Sequence, residues 1–575
     1  MQVRHWAFLS QMSLAGAGLP SERQHCLRAL STAISFIAFS AGCATVDFVE
    51  EPKLKTSLEE VLASEDSSSE CLELGSRSVR ADGMQRAIWQ ERVADHLKEC
   101  GGSVTLRYLR SLVALPTVPG NTEAREQAKS LLMELADKFA LSFTSIGEDD
   151  IWLLELGDGP LLADFITLMD VHPGPPRITL SPTKTVYAHK VTTELDRLYG
   201  RGVEDNKTAI ASVLTLFESI HPHLDSFNHR LRLIVVNGAK SDLSVITSFV
   251  EAHELAPSPF LLQSKFPVVG EVFGSEDLMF RFRRDDNARP SNAVWQLETL
   301  GGGHSPNATP NEALMVLRYR GNNQQGFQDE LASLTQWSEE SLKAFSDQLA
   351  LDIRPIIDEL KVVLSVRGQA SSYASPTPGG NPLVYLGHLN TKLDLSVDYG
   401  RSVLEFLAGP QFKDSLPETE GPETMSALVP VMLRLEPEAA LLRLRRAHKP
   451  SHEKAQALHQ AEDLLRDVQT TIWSLSEWEH PPQFEAGYAL KPSWLPLEIA
   501  AKTFAKHFSS DKTTATVDRE GTLARRIPNA IGFGPLLPGH SNTSLSYSES
   551  LHRSVADRWA RMLFEIVDEL ANAEN

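Results

Sequence analysis

Apolar positions along the chain change their spacing several times, and each change marks an element. Residues 81–100 carry Ile88, Val93 and Leu97 at helical intervals, and 124–140 form a second such run, so two helices are predicted there. Short apolar runs follow. One covers 151–156, and after the turn Gly157-Asp158-Gly159 another covers 164–171; both read as strands. Then come a helix over 209–220, a strand over 230–237, a helix over 243–253 and an extended segment over 266–269. Strands and helices alternating in this order predict an α/β sheet covered by helices.

Past about residue 280 the texture changes. Helical periodicity runs over 329–353 and 438–477, the latter interrupted at Pro450, and isolated alternation appears over 392–398 among proline-rich joints. This stretch, 281–490, is predicted to be an inserted α+β domain. A helix after Trp494, a glycine-rich segment and an amphipathic helix over 553–571 return the chain to its first domain, so that domain spans 81–280 and 491–575. No internal repeat interrupts the scheme.

The N-terminus follows a different pattern. Residues 27–43 form an apolar segment with Arg23 and Arg28 at its start and Ser40-Ala41-Gly42-Cys43 at its end, the layout of an export signal. The last four residues are similar to a bacterial lipobox, in which Cys43 would be acylated; initiation at Met12 would give a signal of more usual length. A short buried helix is the alternative reading. Residues 44–80 are polar and acidic, with EDSSSE near the centre, and are expected to form a flexible tether. Residues 1–43 would then be the signal, placing the protein in the bacterial cell envelope, lipid-anchored and facing the periplasm. Removing Cys26 and acylating Cys43 leaves Cys71 and Cys100, which either pair or stay free.

Composition narrows the classes of partner. With 575 residues, 42% hydrophobic and 23% charged, the chain is long enough for several cores. A formal charge of −20 excludes non-specific nucleic-acid binding, because nothing offsets phosphate repulsion. No apolar run is long enough for a stable bilayer-spanning helix.

Candidate chemistry begins at Leu198-Tyr-Gly-Arg-Gly-Val-Glu-Asp-Asn-Lys207. A tight glycine turn delivers Asp205 to the mouth of a helix, where an acidic side chain either caps the helix or faces a cation. Around it, seven segments in series resemble the M20 metallopeptidases, in the dipeptidase branch related to PepV and carnosinase-type enzymes. They are TLMDVHPG (167–174), LYGRGVEDNK (198–207), LRLIVVNGAKSD (231–242), FPVVGEVFG (266–274), GGGHSPNATPNEAL (301–314), EGTLARRIPNAIGFGPLLPG (520–539) and SLSYSESL (544–551). Together they span about 103–572. The resemblance implies an M20-type catalytic domain with a mixed sheet flanked by helices, interrupted by a lid or dimerisation domain. It also implies a water held between two zinc ions, with a glutamate as the base.

Carried over residue by residue, the resemblance exposes losses. The first imidazole ligand would stand at Leu168, two residues before the retained Asp170. The bridging aspartate is retained as Asp205. The glutamate pair that serves as base and ligand falls on Ser241 and Asp242, a further aspartate ligand on Gln263, and the last imidazole on Leu545, four residues before the retained Glu549. Leucine has no lone pair for a metal, and Ser241 is no base at neutral pH. Asp205 and Asp242 remain as weak oxygen ligands, better suited to Mg²⁺ or Ca²⁺ than to zinc. His172, by strand alternation on the face of Leu168 and Asp170, and His540, in the loop before Leu545, are the candidate substitutes. His304 matches the family's lid histidine, and Arg525 the arginine that holds a substrate carboxylate.

Two readings follow. One is an M20 peptidase-like envelope protein without zinc-dependent hydrolysis, with no cofactor expected, binding a peptide or amino-acid derivative and dimerising through the inserted domain. The other is an active M20-type metallo-dipeptidase or amidohydrolase whose zinc is held by rearranged ligands.

Overall fold

A computed structural model describes residues 86–573 apart from short internal stretches, the longest being 239–243, 264–267, 284–292, 413–427 and 509–514. The expected signal, the tether and Cys43 lie outside the described residues.

The first domain is organised by a nine-stranded mixed sheet. Strand Leu161–Leu168 lies at its centre, parallel to Arg230–Val236 on one side and to Ser258–Leu261 on the other. Ile151–Leu156 and Ser142–Ile146 continue antiparallel beyond Arg230–Val236. These central strands read as apolar runs because both faces are covered. Alternate residues part to opposite sides: Phe165, Leu233 and Val235 join one apolar cluster, while Ile166, Leu168, Ile234 and Val236 join another. Helices Gly101–Val113, Lys207–Ile220 and Arg553–Ala573 pack together on the first side. Helix Ser244–Ala252 and the turn Leu523–Arg526 meet on the second.

The second domain is an eight-stranded sheet, antiparallel at every pairing described, whose strands run from Gly274 to Glu485. Its apolar cluster includes Phe280, Phe282, Leu364 and Leu442 from strands, with Leu386, Leu404 and Val468 from helices. The fold is therefore α/β, a mixed sheet flanked by helices plus an added antiparallel sheet domain.

Several local expectations are corrected. Helix Gly101–Val113 has no counterpart in the predicted elements, because Gly101-Gly102 reads as a break. Gly102 is instead a close-approach position: a Cβ there would stand 2.6 Å from Asp557 Oδ1 and 3.1 Å from its Cα, on helix Arg553–Ala573. The helix expected over 329–353 is Gln324–Phe345 followed by strand Ala350–Ile356, with extended Ser346 ending the helix. The helix expected over 438–477 resolves into strand Ala439–His448, helix Lys454–Thr471 and strand Leu475–Glu485. Burial between neighbouring strands overrides helical propensity in AALLRLRRAH. In the strand expected over 392–398, Leu395 makes a single bridge to Trp295.

Cys100 is disulfide-bonded, and the other three cysteines lie outside the described residues. No helix among the described residues is long and apolar enough to cross a membrane.

Candidate functional site

The site is built on the loop between strand Arg197–Tyr199 and helix Lys207–Ile220. Gly202 takes a φ of +90° there, with Val171 and Lys207 so close that a Cβ would meet both. The Asp205–Asn206 peptide is cis. Asn206, not Asp205, is the helix N-cap residue. Asp205 thus stands outside the helix and is not its cap.

A buried carboxylate organises this loop. Glu549 Oε1 accepts the backbone N–H groups of Gly202 at 2.9 Å, Glu204 at 3.1 Å and Asp205 at 3.2 Å. Arg201 donates to Oε2 at 3.3 Å. Burial pushes the Glu549 carboxyl up to about 7 against the pull of Arg201. Beneath the loop, fully buried Lys207 donates from Nζ to the carbonyls of Leu112 and Leu115. Burial lowers its ammonium to about 7, against the opposing pull of Glu549 and Asp170. Glu204 accepts from the backbone and hydroxyl of Thr543, which fastens that residue to the same turn. Of these contacts, the sequence had pointed only to the retention of Glu549.

The expected site residues fall into three groups. Strand Leu161–Leu168 ends at Leu168, so Asp170 and His172 lie in the loop beyond it and not on a strand face. Even so, the loop brings His172 Nε2 to 3.9 Å from Asp205 Oδ2, with the two side chains 20% and 14% exposed. Asp170 is buried, and Gln263 is half-buried just past Ser258–Leu261. Leu168 is 6% exposed and belongs to the apolar cluster with Ile166, Val236 and Leu523. His540 is exposed, and its ring meets His552 edge-on at 5.6 Å. The His552 imidazole in turn pairs with Asp196 at 2.9 Å. Ser241, Asp242, His304 and Leu545 lie outside the described residues.

Arg525, expected to hold a ligand's carboxylate, holds one of the chain's own. Its side chain is 2% exposed and donates to Glu485 at 2.9 Å, to the Phe273 carbonyl at 2.6 Å, to the Tyr373 hydroxyl at 2.9 Å and to Ser275.

Zinc, which the sequence resemblance implies, calls for imidazole or carboxylate donors converging on one point. Among the described residues, no group of three or more His, Cys, Asp or Glu side chains is placed to hold a metal ion. At the first expected ligand position the side chain is aliphatic and packed into the core.

The mixed sheet with its helical layers and the added antiparallel sheet make an M20 peptidase-like fold. The structure is similar to that of human carnosine dipeptidase 1, with a TM-score of 0.51 at 10% identity, covering 84% of this chain and 99% of that one. Weaker likenesses include the di-peptidase Dug1p from Saccharomyces cerevisiae, with a TM-score of 0.46 at 10% identity over 86% of this chain and 100% of that one. Another is the M20 family metallo-carboxypeptidase Sso-CP2 from Sulfolobus solfataricus, at 0.43 and 13% over 81% and 99%. No family model matches the chain. No curated protein matches it either.

Proposed function

We propose that this chain is a peptidase-fold binding protein of the cell envelope that has lost zinc-dependent hydrolysis. The observation that carries the reading is Leu168: at the position where the sequence resemblance puts the first metal ligand, an aliphatic side chain lies in the apolar cluster with Ile166 and Val236. An isobutyl group offers no electron pair, and its burial stabilises the apolar form of the site. Asp205 and His172, both partly exposed, are polar groups placed to meet a ligand among the described residues. A carboxylate there suits the ammonium of a peptide or amino-acid derivative. The disulfide at Cys100 supports export to an oxidising compartment, with the lipid anchor at Cys43 holding the protein to the membrane. Strand Ala350–Ile356, an edge of the second sheet, is the surface through which we propose homodimerisation. Elemental analysis of protein purified without chelator is the test. Less than one tenth of a zinc ion per chain, with no release of amino acids from dipeptides, is the expected result; two tightly held zinc ions would reject the reading.

The approach of His172 to Asp205 at 3.9 Å favours one alternative, a metal relocated onto those two residues in an active dipeptidase or amidohydrolase. It requires chelator-sensitive dipeptide cleavage that His172→Ala abolishes.

A further inference from the structure

The chain passes between its two sheets twice, and the crossings lie side by side. Val269–Val272 runs through Phe273 into Gly274–Arg283, and Leu475–Glu485 returns to Tyr488–Ala489. Ser275 faces Glu485 in the second sheet, and Val272 faces Tyr488 in the first. The junction is thus a two-stranded ribbon. It is tightly packed, since a Cβ on Gly487 would stand 2.3 Å from the Val272 carbonyl oxygen.

Three arginines converge on this ribbon. Arg525 and Arg526, from the Leu523–Arg526 turn of the first domain, each donate to a different oxygen of Glu485. Arg525 also grips the ribbon backbone at Phe273. Arg445, from strand Ala439–His448 of the second domain, lies 4.7 Å over the Tyr373 ring and donates to Ser275 at 2.9 Å and Asn307 at 3.2 Å. Burial pushes the Glu485 carboxyl up, but the combined pull of Arg525, Arg526 and Arg445 holds it below the usual range.

Asp277, opposite Arg445 on the neighbouring strand, is engaged by both Nε and NH2 of Arg443 and stands 3.7 Å from Arg445. The Nε groups of Arg445 and Arg526 are buried and have no hydrogen-bond partner among the described residues. Two guanidinium forks of the first domain, gripping one carboxylate of the second with a donor to spare on Arg526, form a built anion site.

We propose that Glu485 is a built-in ligand: a carboxylate of the chain itself fills the carboxylate site made by Arg525 and Arg526 at the domain junction, closing that site to external carboxylates and pinning the two domains together. The loss of zinc plays no part in this inference. It makes Glu485 a specificity-determining residue, because ligands reaching the protein gain nothing from a free carboxylate at Arg525.

The test is thermal unfolding of the full chain in sodium acetate against sodium chloride at matched ionic strength. Wild type is expected to melt identically in the two salts. Glu485→Ala is expected to melt lower in chloride and to recover with acetate in a saturable way, the signature of a ligand bound only by the folded state. The double variant with Arg525→Lys is expected to lose that recovery. Glu485→Gln fills the same space without charge; it should melt below wild type and ignore acetate, and it serves if the alanine variant does not fold. Three results would overturn the proposal: folded Glu485→Ala indifferent to acetate, Glu485→Gln as stable as wild type, or saturable acetate binding by wild type that Arg525→Lys removes. Metal content is not read in this experiment, so its outcome is separate from that of the zinc analysis.

Discussion

The backbone N–H of Asp205 donates to Glu549, 344 residues further along the chain, at 3.2 Å. The same carboxylate oxygen takes the N–H groups of Gly202 and Glu204, so one side chain on the closing segment sets the shape of the loop that presents Asp205.

Glu549→Ala should therefore destabilise the protein by about 2–4 kcal/mol, because it strands three backbone donors of the loop. Glu549→Gln keeps an acceptor and should lose less. Urea unfolding of the two variants, compared at unchanged m-value, checks the order.

Leu168 gives a prediction of opposite character to that of a metal ligand. Leu168→Ala should lose about 2–5 kcal/mol through the cavity it leaves in a packed cluster. Leu168→His should also destabilise, by about 1–3 kcal/mol, because it buries a polar ring among Ile166, Val236 and Leu523. Added zinc should not restore the histidine variant, and a zinc-dependent rise in its Tm would contradict that.

Acid should weaken the fold through His189. Burial, then the charges of Lys207 and Arg201, lower this imidazole from 6.5 to about 4. Between those values the unfolded chain binds the proton and the folded chain does not, so stability falls as pH drops from 6.5 toward 4 and the effect is complete below that. The loss is about 2 kcal/mol after allowing for solvent screening. In His189→Gln the slope of unfolding free energy against pH over this interval should flatten.

The central strand offers a fourth case. Asp164, fully buried, accepts from Arg232 Nε at 2.6 Å and NH2 at 2.8 Å and from the Ala256 N–H at 2.7 Å. Asp164→Asn removes the charge but not the shape, and should cost about 3–5 kcal/mol by leaving Arg232 uncompensated. Replacing both residues with apolar ones of similar size should lose less than either single change, as read in a double-mutant cycle.

The fold was legible where local pattern and burial agree. Leu161–Leu168, Arg230–Val236 and Arg553–Ala573 follow their apolar spacing to within a few residues of the expected ends. Pattern misled where a strand is buried on both faces: Ala439–His448 has the composition of a helix, and only pairing with Gly274–Arg283 and Val429–Leu435 makes it a strand. It also misled at Gly101-Gly102, where Gly102 admits the neighbouring helix Arg553–Ala573. At the site, the motif order pointed to Asp205, His172 and Arg525. It could not reveal that Glu485 meets Arg525, because that contact joins segments 40 residues apart in two domains.

The adjacency of the two crossings also makes the second domain detachable. Because Val272 faces Tyr488 and Ser275 faces Glu485, the segment between them begins and ends at neighbouring points. A short turn in its place would leave the pairing of Val269–Val272 with Tyr488–Ala489 intact, so the peptidase-like body can gain or lose this whole module without rethreading its own sheet.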